Sequence, residues 1–264
     1  MNDRSCSILV NSCDKYEDAW YPFFELTKKY WINCPYKFYL NTEKKKYTHM
    51  GIDLTVLNSI SYSSNGSTWG ARIEDCLKQI DTTYVILLLE DFFLQDKVNQ
   101  DELQTCINMM DNNSEIVAIY FKRIFGFTTE YDKNPNYYLM TENQEYKLNL
   151  QAGLWRKEEL QKLISKEDSP WSFEEEGYLR IDNPTSLFLC SKKGTHSSIK
   201  NSVFPYFTDR KLGFGIWSGK WLWNNDGLFE RNGITINEIS MDRFTKSDML
   251  RYYFKRLKDK LSSS

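Results

Sequence analysis

The chain has 264 residues, of which 41% are hydrophobic and 27% charged, with a formal net charge of −2. That length is enough to bury a sizeable core, and so balanced a charge excludes a chain-wide basic field for nucleic acid. Aromatic residues make up 16%, which supplies flat faces for stacking on sugars or bases, or simply a bulky core.

The first residues, MNDRSCSILVNS, hold too short an apolar run for a secretory leader. No stretch reaches the ~18 apolar residues of a membrane span. Cys6, Cys13, Cys34, Cys76, Cys106 and Cys190 form no C-x-x-C pair. Reduced, buried thiols in a cytoplasmic protein are expected, rather than disulfides or a zinc site.

Five runs read as strands: SCSILVN (5–11), YKFYL (36–40), IDLTVL (52–57), YVILLL (84–89) and EIVAIYF (115–121). Each is short, rich in β-branched or aromatic residues, and bounded by polar residues. Helical spacing separates them. Trp69, Ile73, Cys76, Leu77 and Ile80 fall on one helix face, and residues 15–31 and 99–112 follow the same period. Continuous apolar strands alternating with helices predict an α/β fold with a mostly parallel sheet covered on both faces.

Ligands of such sheets bind beyond the carboxyl ends of the strands. Two predicted strand ends carry polar chemistry there: Asn11, Ser12, Cys13 and Asp14 after the first, Glu90 and Asp91 after the fourth. The acids are expected to face a ligand, directly or through a divalent metal. The competing reading is that Glu90 caps a turn and Asp91 pairs with a lysine.

Further along, KLNLQAGLWRKEELQKLIS reads as a strand, a glycine break and an amphipathic helix. Ser169 before Pro170 marks a helix start, with Glu174, Glu175 and Glu176 expected in its opening turns, where the dipole favours acids. The sharper expectation is that one of them shares a face with Trp171 at i+3 or i+4. A carboxylate beside an aromatic wall suits a sugar, with its apolar face and its hydroxyls.

Gly213, Gly215 and Gly219 lead to Lys220 at an expected helix start, a candidate anion cradle. The spacing is not that of a triphosphate P-loop. The alternative is a surface turn with a solvated lysine. His49 and His196 lack ligand spacing and carry no assigned role. The C-terminal segment places Leu250, Tyr253, Phe254, Leu257 and Leu261 on one stripe with Lys and Arg opposite. Packing explains such a stripe, and so does contact with an anionic membrane surface.

Taken in order, NSCDKY, WGAR, LLLEDFFL, LQAGLWRKEEL, PWSFEEEG and GKWLWNNDGLFERNGI resemble bacterial GT-A-type glycosyltransferases of surface polysaccharide biosynthesis (capsule, O-antigen, lipopolysaccharide). The resemblance implies a single GT-A-like domain. Its nucleotide-sugar half would run over about 1–115 and its acceptor half over about 116–264. It also implies a nucleotide-diphosphate-sugar donor, a saccharide or lipid-linked saccharide acceptor, and a nucleotide site at Asn11, Ser12, Cys13, Asp14, Arg72 and Glu90. Asp91 would hold Mn or Mg, Glu174 or else Glu175 would be the catalytic base, and Trp171 and Lys220 would serve the acceptor. In that family the acids after the fourth strand are D-x-D-like. Here they are adjacent, and Phe92 stands at the third position, so metal dependence is expected to be weak. The alternatives are a non-catalytic carbohydrate-binding or scaffold protein on the same fold and, third, a nucleotidyltransferase.

Overall fold

The apolar runs become the middle of one nine-stranded sheet. The computed structural model describes residues 5–58, 68–194, 202–206, 215–236 and 239–262, with side chains described through 254. The 61–67 loop, His196 and Gly213 lie outside them.

The strands are β1 (Cys6–Asn11), β2 (Lys37–Thr42), β3 (Leu54–Asn58), β4 (Tyr84–Leu89), β5 (Ile116–Tyr120), β6 (Thr129–Glu130), β7 (Tyr137–Leu139), β8 (Gly153–Arg156) and β9 (Leu187–Ser191). Their spatial order is β3-β2-β1-β4-β8-β5-β9-β7-β6. Of the nine, β7 and β8 run against the other seven, so the sheet is mostly parallel in direction. The helices are α1 (Trp20–Tyr30), α2 (Trp69–Gln79), α3 (Gln100–Asn112), α4 (Lys157–Leu163), α5 (Pro170–Glu176), α6 (Asn224–Arg231) and α7 (Lys246–Ser262). A short hairpin, β10 (Ile216–Trp217) and β11 (Lys220–Trp221), stands apart from the sheet.

Period-2 alternation with both faces covered explains why the middles of the central strands are apolar. Ile8, Val10, Ile86 and Leu88 point into one core with Phe23, Phe24 and Leu103, beneath α1 and α3. Leu9, Val85 and Leu87 point into a second core with Ile73, Leu77, Leu160 and Phe173, beneath α2, α4 and α5. A strand covered on both faces admits a polar residue only where a partner satisfies it, and each such aliphatic side chain contributes about 1.5–3 kcal/mol by burial.

Three local expectations are corrected. The strand near residue 150 follows the glycine instead of preceding it: Gly153–Arg156 is the strand, while Lys147–Leu150 forms a loop. Gly153 opens it because a Cβ there would stand 3.0 Å from the Tyr120 ring. Ser169 does cap α5, through a capping box with Ser172. That helix ends at Glu176, however, so the Glu174–Glu176 triplet occupies its last turn, where the dipole disfavours acids. Lys220 lies in a β-hairpin strand, not at a helix start.

Candidate active site

The order β2-β1-β4 reverses direction across β1, since the chain first winds outward to β2 and β3 and then returns to the other side. Such a switch point opens a crevice at the carboxyl ends of the strands. Register fixes what stands there. Asn11 ends β1 opposite Asn41 of β2 and Leu89 of β4, so the next residues of both β1 and β4 leave the sheet side by side.

The β1 end is built from buried polar groups that hold one another. Asn41 Nδ2 donates to Asn11 Oδ1 at 2.7 Å, and Trp20 Nε1 donates to the Ser12 hydroxyl at 2.7 Å. Arg72 arrives from α2, whose start packs tightly: the Gly70 N–H donates to Asp168 O, and a Cβ at Gly70 would collide with Ser165 O. Arg72 Nη1 donates to Ser12 O and to Glu43 Oε1, both at 3.1 Å, while its buried Nε has no partner. Asp14 faces the other way. Its carboxylate accepts the backbone N–H groups of Glu43, Lys44 and Lys45 and so fastens the loop after β2.

Beyond β4 the chain turns at once, and Phe92 N–H donates to Leu89 O at 3.2 Å. This turn removes the strand alternation that would have sent Glu90 and Asp91 to opposite faces. Both carboxylates are buried, at 7% and 5% exposure. Burial raises the Glu90 pKa well above the usual range, Asp91 raises it further, and Arg72 and a hydrogen bond from Ser12 oppose the rise. Burial likewise raises that of Asp91, opposed by the N–H of Ile216, which donates to its Oδ2 at 3.0 Å. Nearby, burial with Glu90 and Glu43 pushes the Cys13 thiol up to about 11. Phe92 is no ligand position, since it stacks on Tyr206 with ring centres 4.3 Å apart.

The pair is roofed by the β10–β11 hairpin. A Cβ at Gly215 would sit 2.3 Å from the Phe93 ring and 3.2 Å from Asp91 O, so only glycine brings the hairpin this close. Lys220, expected to meet an anion, instead donates to Asp248 of α7 at 2.8 Å. Among the described residues no group of three or more His, Cys, Asp or Glu side chains could hold a metal ion. The donor set is two adjacent carboxylates, one already used by a backbone N–H. That fits a hard cation only if substrate phosphates and water complete its oxygens.

The third strand end was missed. β5 continues into Lys122 and Arg123 just past Tyr120, beside Gln151 at the opening of β8. Lys122 is 4% exposed, with Nζ 4.8 Å above the Tyr206 ring, and burial pushes its pKa down to about 8. Tyr206 donates to Gln151 Oε1 at 2.6 Å. The signal was present in the sequence, because IVAIYFKR runs from apolar residues straight into charge just as YVILLLED does.

Of the α5 acids, Glu174 separates from Trp171, while Glu175, four residues on, stays with it on the exposed face. Glu174 turns inward, its Oε1 accepting Leu150 N–H at 2.8 Å, and burial raises its pKa. Trp171 is 67% exposed, and Glu175 is exposed on the outer turn. The structure thus brings Glu90, Asp91, Ser12, Cys13 and Arg72 together, but not Trp171, Glu175 or Lys220 with them.

No protein-family model matches the chain, and no curated protein sequence matches it. Solved structures with partial likeness include S. aureus TarS 1–349, at TM-score 0.40 and 15% identity over 72% of this chain and 59% of that one. Another is a CMP:2-keto-3-deoxy-manno-octonic acid synthetase complexed with CTP, at 0.42 and 9% over 70% and 88%. A mycobacterial protein aligns at 0.46 and 9% over 88% and 76%. The chain spans less than two thirds of TarS 1–349, and scores below 0.5 at such identities define no family.

Proposed function

We propose that the chain is a nucleotide-sugar-dependent glycosyltransferase, inverting at the anomeric carbon, that extends a polysaccharide or lipid-linked oligosaccharide. One observation carries the reading: a buried carboxylate pair, Glu90 and Asp91, stands at the β1/β4 switch point beside Ser12 and Arg72. Two acids without a matching pair of protein cations call for a ligand that brings hydroxyls or a bound cation. A nucleotide sugar brings both.

In this reading the β1 end (Asn11, Ser12, Cys13, Asp14), Arg72 and Glu90 form the nucleotide side, in the half of the chain up to about 115. Asp91 is the position for Mg or Mn, which would help neutralise the departing diphosphate. A base removes the acceptor hydroxyl proton while that oxygen bonds to the anomeric carbon, and the bond to phosphate breaks with its electron pair on the diphosphate. Glu174 is the first choice for base, since a carboxyl raised by burial lies nearer the working pH, and Glu175 is the second. Trp171 and Lys220 belong to the acceptor half, Lys220 once its ion pair with Asp248 opens. Helix α7 exposes Leu250 and Phe254 among basic residues, which suits a cytoplasmic enzyme resting on an anionic membrane that carries its acceptor. The closed roof over the acids favours one other reading, a non-catalytic carbohydrate-binding or scaffold protein on this fold.

Calorimetry with UDP and GDP, with and without Mn, separates the two. Binding is expected, weakened at most about tenfold in Asp91→Asn. No binding of either at millimolar concentration sinks the transferase.

A further inference from the structure

A cavity lies on the same sheet edge, beside β8 and β5, two and three strands from β1. It is a cleft of about 170 Å³ lined by Arg123, Ile124, Phe125, Tyr146, Asn149 and Gln151. That is below the roughly 300–1,000 Å³ of drug-sized sites, so its occupant is about one ring in size. Two aromatic rings stand at its lip, Phe125 at 63% and Tyr146 at 44% exposure, where an apolar ring face can lie against them.

The polar chemistry of the cleft is one-sided. Asn149 Oδ1 already accepts the Gln151 backbone N–H at 2.9 Å, which orients the amide and leaves its NH2 as the free end. Gln151 Oε1 already accepts the Tyr206 hydroxyl, which leaves its NH2 likewise. Arg123 lines the cleft and has only donors, its guanidinium lying 5.2 Å from the centre of the Tyr138 ring. The cleft therefore offers donors, and the ligand that completes it supplies acceptor oxygens.

Position ties the cleft to both ends of the proposed reaction. On one side Gln151 holds Tyr206, which stacks on Phe92 next to Asp91. On the other, Tyr146 N–H donates to Glu174 O and Glu174 Oε1 accepts Leu150 N–H. The cleft therefore lies between the nucleotide end and the candidate base.

We propose that this cleft is the acceptor subsite and that it selects a sugar ring bearing an oxyanion, a carboxylate or a phosphate, held by the Arg123 guanidinium against Phe125 and Tyr146. Its place as acceptor subsite rests on the transferase reading, while its preference for an anionic sugar does not. The test is an NMR-followed titration of the full chain, without nucleotide, with methyl β-D-glucuronide, glucose 6-phosphate and methyl β-D-glucoside. The charged sugars are expected to bind roughly tenfold or more tightly than the neutral one, the increment of a charge-assisted hydrogen bond. Arg123→Met is expected to erase that preference, and Phe125→Ala, at an exposed position, to weaken all three sugars. The stronger of the two anions identifies the oxyanion. Equal affinity for charged and neutral sugars, a preference that survives Arg123→Met, or undiminished binding in Phe125→Ala overturns the proposal. Sugar binding that persists where nucleotide binding fails refutes the transferase and leaves the cleft a saccharide site.

Discussion

The two polar clusters along the carboxyl edge differ in what they offer a ligand. At the β4 end both side chains are acceptors, Glu90 and Asp91, sealed under a hairpin that has inserted its own N–H. At the β5 and β8 ends the available groups are donors, Arg123, Asn149 and Gln151, in a cleft open to solvent. The first is a charge problem solved provisionally by the protein itself. The second is a hydrogen-bonding problem left for a ligand. A donor sugar nucleotide and an acceptor sugar pose complementary demands, and one sheet edge presents both in neighbouring places.

The sharpest way to break this division is at Glu174, which lies behind the open cleft. Glu174→Gln keeps the shape and the acceptor for Leu150 N–H but removes the basicity. Turnover should fall by roughly 10²–10⁴-fold, while UDP affinity measured by calorimetry stays within a factor of a few, and Glu175→Gln should be nearly silent. The reverse pattern moves the base one residue along. No change in an established transfer assay from either variant removes the base assignment.

The closed side can be examined through stability. Burial lifts the pKa values of Glu90 and Asp91 above those of the unfolded chain, so the native protein binds more protons than the unfolded one. Their contribution is therefore full below the unfolded values near pH 4 and is lost as pH rises through the raised ones. Asp91→Asn retains an acceptor for Ile216 and cannot ionise. It should raise the unfolding free energy measured by urea titration at pH 8 by on the order of 1–3 kcal/mol, and flatten the decline from pH 5 to 8. A variant that loses stability equally at both pH values would show that the carboxylate is paired more favourably than its burial implies.

The mildest effect concerns the cation. With two carboxylates and no third, chelation should slow transfer at most about tenfold, ~1.4 kcal/mol of barrier. Complete loss with EDTA and recovery with Mn would show that substrate oxygens build a far stronger site than the side chains alone.

What the sequence disclosed follows from the range of the forces involved. The runs ILV and YVILLL announce doubly covered strands because side-chain alternation is a local property, and the polar residues directly after them mark the ligand edge for the same reason. Ser169 and Pro170 likewise announce a cap. The turn at Glu90 and Asp91 was not visible, since it depends on Phe92 stacking on Tyr206, more than a hundred residues away. Lys220 carried no local sign of Asp248, nor Glu174 of the Leu150 N–H. Side-chain direction at the end of a helix is set by what packs against it. Lys122 and Arg123 are as legible as Glu90 and Asp91, because an apolar strand runs straight into charge at both places.

The hairpin over Asp91 also has a consequence for measured affinity. A ligand that reaches the acids binds only molecules whose hairpin has lifted, so the apparent dissociation constant is the intrinsic one divided by the lifted fraction. A hydrogen bond to a charged group is worth about 1.5–3 kcal/mol, and Trp221 of the hairpin is also fully buried against Phe93 and Phe229, so the lifted fraction lies below about one in ten. In the proposed transferase, nucleotide affinity would then be set as much by how often this two-stranded hairpin lifts as by the contacts made beneath it. A donor that touched the hairpin from below would convert the same bond from a competitor into a clasp.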